Sequence, residues 1–530
     1  MLNRCPNCGG LVYFDIQSGQ LKCESCDSLF VPETFESSTG AQENSENAEF
    51  DMSIFTCPNC GGSVASNELE AVEYCLYCGS FVTLESQVKK IRKPDFILPF
   101  SKTKEECKKS YSNMIMRKFY APKEFRDEKF LNGFKGIYIP YWVYDYKTDT
   151  NVALKGSKET RHGDYIHTHH YDINCRVAGN LIGLSYDASS SFDDDISSRL
   201  VPFDSNKLKP FNSSYMYGFF ADTADVNDSV YVDESSEIVN EKIWDTVSEN
   251  YEVSKGYPTK PSEKSFSKNF GVKYSTKLAM IPIWFLTWRN KDRVAYSVMN
   301  GDNGEIYSEV PVDIKRYFLF SLLLALPIFF GLNYLVTFSV YSMLKLAIGL
   351  SFLMVVLYTF MLDRIVSKNL HVDDKGYTSV NENESKKASK VKKNAIVSFW
   401  GDVGGIFKKA GFWGIIVAVV LMFMFSAYII VIGAILIVVA IIYIFVRIGK
   451  NAKWLDDKSV WLDLLGSFGS MLLSVVMLFA DPAGDISYYI AAIVCIMGAG
   501  LTAVLAMRRY NELATRPLPH FFDRKAGGEN

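Results

Sequence analysis

The chain lacks the short motifs of common catalytic machinery. It has no G-x4-G-K-[S/T] phosphate loop, so nothing cradles a nucleoside triphosphate in the Walker manner. Neither H-E-x-x-H nor G-x-S-x-G occurs, which leaves out zincin proteases and hydrolases built on a nucleophile elbow. No cysteine and histidine stand together in a recognisable catalytic context, and the expectation is a protein that is not an enzyme. Basic residues are scarce at the front, where the first 90 residues hold 4 Lys/Arg against 13 Asp/Glu. Phosphate binding needs clustered cations, so this balance argues against nucleic acid as a partner of that segment. No basic stretch followed by an apolar one opens the chain, so no signal peptide is expected. The long apolar runs of the last third are almost free of the charges that mark ion or substrate pathways. Lys345 falls near a helix start, and Asp363, Arg364 and Asp463 fall at helix ends.

What the chain has in abundance is ordered cysteine. Eight of the 11 cysteines form two copies of one pattern. Cys5-x2-Cys8 is answered by Cys23-x2-Cys26, and Cys57-x2-Cys60 by Cys75-x2-Cys78, and every cysteine of the second set lies 52 residues after its counterpart in the first. Four thiolates in two C-x2-C knuckles make a closed tetrahedral Zn2+ site, so two structural zinc ribbons in tandem are expected. Iron in the same cage, or redox dithiols, are the lesser alternatives. Gly9, Gly61 and Gly79 directly follow a knuckle's second cysteine, where a positive φ closes the turn; Asp27 takes that place once. Such cages supply folding energy to a unit with almost no core of its own. They also need reduced thiols, which points to a reducing cytoplasm. Cys107, Cys175 and Cys495 are scattered and read as small buried hydrophobes.

The fold class read from these patterns is multidomain: two small β zinc ribbons, an α+β cytoplasmic domain and a polytopic helical membrane domain. Ribbon 1 covers 1–36, a polar acidic linker expected to be mobile covers 37–53, and ribbon 2 covers 54–90. A mixed-composition α+β domain runs over 91–316. Apolar runs then occupy 317–338, 340–362, 412–447, 461–480 and 486–507. Four suit one spanning helix each, but 412–447 would make a helix of about 54 Å, against a bilayer core of about 30 Å. Two helices with a tight turn between Ser426 and Gly433 fit better, giving six. That count divides the region into a hairpin (317–362), a basic segment (363–411), four helices (412–507) and a tail (508–530). It also puts every basic joint on the ribbon side: 363–411 with ten Lys/Arg, 447–458, and the tail from Arg508-Arg509. The chain is therefore expected to be a multi-pass cell-membrane protein with both ends in the cytoplasm.

In the middle region, Thr103 and Glu106 form a capping box ahead of Cys107, Tyr111, Met114, Ile115 and Lys118, predicting a helix over 103–118. Val239, Ile243 and Val247 predict another over 237–250. Ile139-Pro-Tyr-Trp-Val-Tyr-Asp-Tyr-Lys147 parallels Ile281-Pro-Ile-Trp-Phe-Leu-Thr-Trp-Arg289 as a diverged strand repeat, with proline read as standing at each strand's start. The matched tryptophans suit core packing better than a base-stacking platform, which needs interleaved basic residues. Asn300-Gly-Asp-Asn-Gly304 signals a hairpin. His162, His167, His169 and His170 read as alternation along a solvent-facing hairpin, with a metal or proton-sensitive site as the alternative. Asp193-Asp194-Asp195 reads as a solvated turn rather than a hard-cation loop. Lys386, Lys387, Lys390, Lys392 and Lys393, followed by Trp400, suit either contact with an anionic lipid surface or simple topogenic charge.

The double ribbon, Ile139–Asp145, Val201-Pro-Phe-Asp204, Lys209-Pro-Phe211 and the Met299–Ile306 hairpin together resemble bacterial membrane-anchored zinc-ribbon proteins of the TFIIB type. Members are often labelled as relatives of a primosomal helicase, and some are linked to phage-shock-type envelope stress. The resemblance covers about residues 1–315 and implies zinc at the eight cysteines. It also implies an adaptor that gathers cytoplasmic and membrane proteins at the lipid bilayer. A membrane-tethered nucleic-acid reader and a small-solute transporter or channel are the competing functions.

Overall fold

A computed structural model describes residues 4–37, 49–66, 75–81, 85–201, 203–335, 339–372, 374–379, 442–455, 457–480 and 484–526. The proposed lipid-contact residues Lys386, Lys387, Lys390, Lys392, Lys393 and Trp400 lie outside the described residues. So do most of the acidic linker and the stretch expected to turn near 426–433.

Ribbon 1 is a three-stranded antiparallel sheet of β1 (Val12–Asp15), β2 (Gln20–Cys23) and β3 (Leu29–Phe30). The next strands are β4 (Glu49–Thr56), β5 (Ser63–Ser66), β6 (Glu85–Arg92), β7 (Phe96–Ile97), β8 (Lys135–His162) and β9 (Tyr165–Asp187). The series continues with β10 (Lys209–Pro210), β11 (Phe220–Ala221), β12 (Lys273–Asn290), β13 (Arg293–Asn300) and β14 (Ile306–Ser308). All of these after β3 belong to one mixed 12-stranded sheet, joined near the end of the chain by Arg516–Pro517 on β13. The last five residues of the expected linker, 49–53, are already strand, and β6 crosses the expected ribbon boundary at residue 90.

The two repeated segments pair with each other. β8 and β12 run antiparallel with Ile139 opposite Ile281. Neither proline stands at a strand start, as the sequence suggested; Pro140 and Pro282 lie inside the pair, opposite Met280 and Tyr138. The ladder survives because of where each ring points. Pro140 O accepts from Ala188 N and Pro282 O from Gly301 N, so both residues turn their backbone polar groups away from the shared ladder. There the outer neighbour changes, from β11 to β9 along β8, and from β7 to β13 along β12. The missing N–H of each proline falls in that gap, where no strand bond is lost.

Around this axis, residues 136–144 are buried on both faces. Trp142 donates to Val226 O and Trp284 to Lys102 O, both at 2.8 Å, so both indoles are core with a satisfied N–H. Beyond Lys147 burial alternates, with one face of the long hairpin covered by Phe266, Phe270 and Val247. Its tip exposes His162, His167, His169 and His170. The capping box at Thr103 opens α1 (Lys104–Met116), which buries Cys107, Tyr111 and Ile115. The second predicted helix is α3 (Val232–Glu249), after α2 (Asp194–Leu200). It begins five residues before expectation because a 3-10 turn at Asp228–Tyr231 runs straight into it.

The C-terminal third holds α4 (Ile314–Leu335), α5 (Val340–Asn369), helical residues 442–455, α6 (Ser459–Ala480) and α7 (Asp485–Leu513). Four of these are long and apolar enough to cross a membrane: Ile314–Leu332, Ser342–Asn369, Ser459–Ala480 and Ile486–Leu513. The helix ending at 455 includes Arg447, Lys450 and Lys453, which the sequence suggested for a joint. α6 and α7 cross with backbones nearly touching. A Cβ on Gly466 would lie 2.4 Å from Gly498 O, and Ser470 and Thr502 hydroxyls line the crossing. At one end Arg509 joins Asp457, Asp463 and Glu512 at 2.7–3.1 Å, with Tyr358 on Asp463. Asp363 is held there by Arg447 and Asn451.

Candidate metal centres

Each C-x2-C pair folds as the glycine positions foretell. Gly9, Asp27, Gly61 and Gly79 all have positive φ, between 56° and 76°. Their amides donate to the carbonyls of Cys5, Cys23, Cys57 and Cys75 at 2.8–3.1 Å. That tight turn aims both sulfurs of a knuckle to one side. Gly10 N and Ser25 N point at Cys8 and Cys23 sulfurs at 3.4 Å. Such donors stabilise thiolate.

The sequence pattern brings together two groups of four sulfurs, each with all ligand atoms within 4.8 Å of one another. In ribbon 1, Cys5–Cys26 and Cys8–Cys23 stand 3.7 and 3.5 Å apart. In ribbon 2, Cys57–Cys78 and Cys60–Cys75 stand 3.8 and 3.7 Å apart. A tetrahedron with metal–sulfur bonds of about 2.3 Å has edges of about 3.8 Å, so both cages fit one zinc-sized ion. Hydrogen bonding from Cys75 favours thiolate at Cys57, whose pKa falls to about 6, while its partners push Cys75 up. A dication demands all four as thiolates, so loading releases protons and acid opposes it.

The two centres differ in setting. Cys8 and Cys26 of ribbon 1 are exposed, whereas all four cysteines of ribbon 2 are buried. Ribbon 2 is sealed by the β domain. Thr287 hydroxyl donates to Leu76 O, Tyr296 hydroxyl to Tyr77 O at 2.7 Å, and Arg289 to Cys78 O and Ser80 Oγ. Tyr77 hydroxyl reaches Asp222 Oδ2 at 2.6 Å; burial lifts that carboxyl to about 6, against hydrogen bonds from Ser189 and Tyr77 that lower it. The chain's last described segment completes the seal. Phe521 N donates to Cys60 O at 2.6 Å, and its ring packs on Tyr77 at 5.2 Å. Gly61 and Gly62 are required there, because a Cβ on either would meet Phe522 or Phe521 within 3 Å. Sequence reasoning missed this tail contact; the Cys-Gly-Gly repeat held the only trace of it.

Ribbon 1 packs on the β domain and shares its core, with Val12, Phe14, Leu21 and Phe35 buried in one cluster with Tyr215 and Tyr217. Phe14 N donates to Tyr217 O, the Phe14 and Tyr215 rings meet at 5.2 Å, and Asn212 donates to Pro32 O. Its outer side keeps Leu11, Leu29 and Val31 at 37–51% exposure.

The Asp193–Asp195 run departs from expectation. Asp193 caps α2 and pairs with buried Arg516, and Asp194 accepts from Tyr231 hydroxyl and Lys375 N, both at 2.7 Å. Asp193 and Asp194 form a covered junction rather than a solvated turn, because Lys375 and Arg516 fold back over them, while Asp195 stays exposed. The four histidines of the hairpin tip form no such group: His162 and His167 rings touch edge-on at 5.9 Å in solvent.

Comparison with known proteins places the chain loosely. No family model matches it, and no solved structure does. Over 315 residues it is 22% identical to the uncharacterized protein YdjG of Bacillus subtilis (strain 168), spanning 58% of this chain and 89% of that protein.

Proposed function

We propose that this protein is a membrane-anchored zinc-ribbon adaptor, non-catalytic, whose ribbons and β domain face the cytoplasm and gather protein partners at the bilayer. Zinc fills both cages and serves folding. Basic helix ends beside the soluble domain support the orientation through the positive-inside rule. The observation that carries the reading is the asymmetry of the ribbons: one is sealed as a structural centre, while the other keeps an apolar rim open. Leu11, Leu29 and Val31 on an acidic module suit a protein surface with apolar and basic groups. The resemblance to envelope-stress proteins fits this role.

The test compares the wild-type chain with Leu29→Glu/Val31→Glu, each purified from membranes of the native host with two zinc ions per chain. Partners recovered with the wild type should be lost from the variant. An unchanged partner set would sink the adaptor reading in this form. A salt-dependent shift of DNA or RNA by the full-length protein would favour the nucleic-acid reading instead.

A further inference from the structure

The junction between soluble domain and helices gathers several buried and half-buried acidic side chains. Asp187, Asp193, Asp194, Asp374 and Glu309 meet there. Lys368 pairs with Glu309 at 2.6 Å, and Arg516 is shared between Glu309 and Asp193. Lys375 sends its ammonium group to Glu234 and only its backbone N–H to Asp194.

A metal-like arrangement lies within this cluster. Oxygen atoms of Asp193 and Asp374 and a ring nitrogen of His371 come within 4.8 Å of one another. His371 Nδ1 and Asp374 Oδ2 are 3.7 Å apart, too far for a good hydrogen bond and close to the spacing of two ligands on one ion. A separate observation points the same way. Asp187 is 1% exposed and its Oδ2 has no hydrogen-bond partner among the described residues, although it lies beside Asp194 and Asp374. A buried carboxylate oxygen without a donor, facing other carboxylates, is what a cation satisfies.

We propose that Asp193, His371 and Asp374, backed by Asp187, form a third metal centre for a divalent cation of the Mn2+/Mg2+ class. The oxygen-rich set with one imidazole suits such an ion and differs from the soft sulfur cages of the ribbons. Its ligands come from two bodies: Asp193 starts α2 of the soluble domain, while His371 and Asp374 follow directly on membrane helix α5. Bound there, the ion clamps the β domain to the helical bundle. This inference stands apart from the adaptor reading and survives its failure.

The full-length protein in detergent, dialysed against chelator at a level that leaves two zinc ions per chain, is titrated with Mn2+ alone and followed by electron paramagnetic resonance. One Mn2+ per chain should bind, with the 14N coupling of a single imidazole in its spin-echo modulation. His371→Ala should abolish that coupling and, with Asp374→Asn, weaken binding by at least about tenfold, the lower range for loss of even an outer-shell partner. Asp195→Asn, on the same helix but half-exposed, should bind as wild type. The modulation needs no variant, so a variant that fails to fold leaves the proposal exposed to refutation. No Mn2+ bound to wild type, binding without nitrogen coupling, or unchanged binding by His371→Ala overturns it, and protons then discharge the cluster.

Discussion

Tyr77→Phe removes one oxygen atom from the contact that seals ribbon 2. In the folded chain Asp222 accepts from Tyr77 and Ser189 hydroxyls, each at 2.6 Å, and from Thr223 N at 2.8 Å. Burial raises its pKa from 3.8 to about 6, so the folded state holds this proton more tightly than the unfolded chain. The stability that proton brings is complete below about pH 4 and is lost as pH rises through about 6, a swing of about 3 kcal/mol. At pH 7 the carboxylate is charged, and a hydroxyl bond to it is worth about 1.5–3 kcal/mol; at pH 5 the acid is neutral and the same bond is worth about 1 kcal/mol. Zinc release to a chromogenic chelator reads the difference, since Tyr77 lies between ligands Cys75 and Cys78. If local opening limits release, a loss of about 2 kcal/mol speeds the slow ribbon 2 phase about 30-fold at pH 7, and about 1 kcal/mol speeds it about 5-fold at pH 5. The fast phase, from exposed ribbon 1, should not move. Equal acceleration at both pH values, or a change confined to the fast phase, would refute the coupling between Tyr77 and Asp222.

Cys8→Ser should leave one zinc per chain with the near-ultraviolet circular dichroism of the β domain intact, whereas Cys60→Ser, in the buried cage, should lose that signal as well as its metal. Gly62→Ala drives a methyl group into Tyr77 and Phe521, at a cost of about 1–3 kcal/mol, and limited proteolysis should then clip the tail near 521 faster than in wild type. Arg509→Ala strands buried Asp463 and leaves partly exposed Asp457 without its partner, so thermal stability in detergent should fall by the equivalent of about 3 kcal/mol; a loss under about 1 kcal/mol would mean the network is solvated. Pro140→Ala should change stability by no more than about 1 kcal/mol, because the ring replaces no ladder bond; a larger loss counts against the strand-changeover account.

The cages were legible because their chemistry is local. Ligand spacing, the glycine after each knuckle and the repeat at Cys57 all follow from turns a few residues long. The Thr103 capping box and the Val239–Val247 face were legible for the same reason. What escaped depends on contacts far apart in sequence. Pro140 looked like a strand start because a local rule bars proline from a ladder, yet the rule is met by a change of neighbour that only β9, β11 and β13 reveal. Asp193–Asp195 looked solvated because nothing nearby covers it; its cover is Arg516, more than 300 residues on. Ribbon 2 looked like an independent module, and its seal comes from Thr287, Tyr296 and Phe521.

Those distant contacts share a direction. The chain leaves the β domain at Asp313, where the amide bonds to Tyr120 O, and enters α4. It returns after α5, with Lys375 N on Asp194, and again after α7, with Arg516 beside Val294 and Phe521 on the ribbon 2 knuckle. Arg293 adds bonds to Glu512 O and Thr515 O at the end of the last helix. Three separate ties from one bundle to one sheet leave little freedom for the domain to swing on a tether. A displacement of α5 or α7 must therefore be borne by the acidic junction or by ribbon 2, since these are where the returning segments end. Ribbon 1 packs instead on Tyr215 and Tyr217 of the β domain, through Phe14 and Phe35. The difference in burial between the two four-cysteine cages thus follows from which one the returning tail covers.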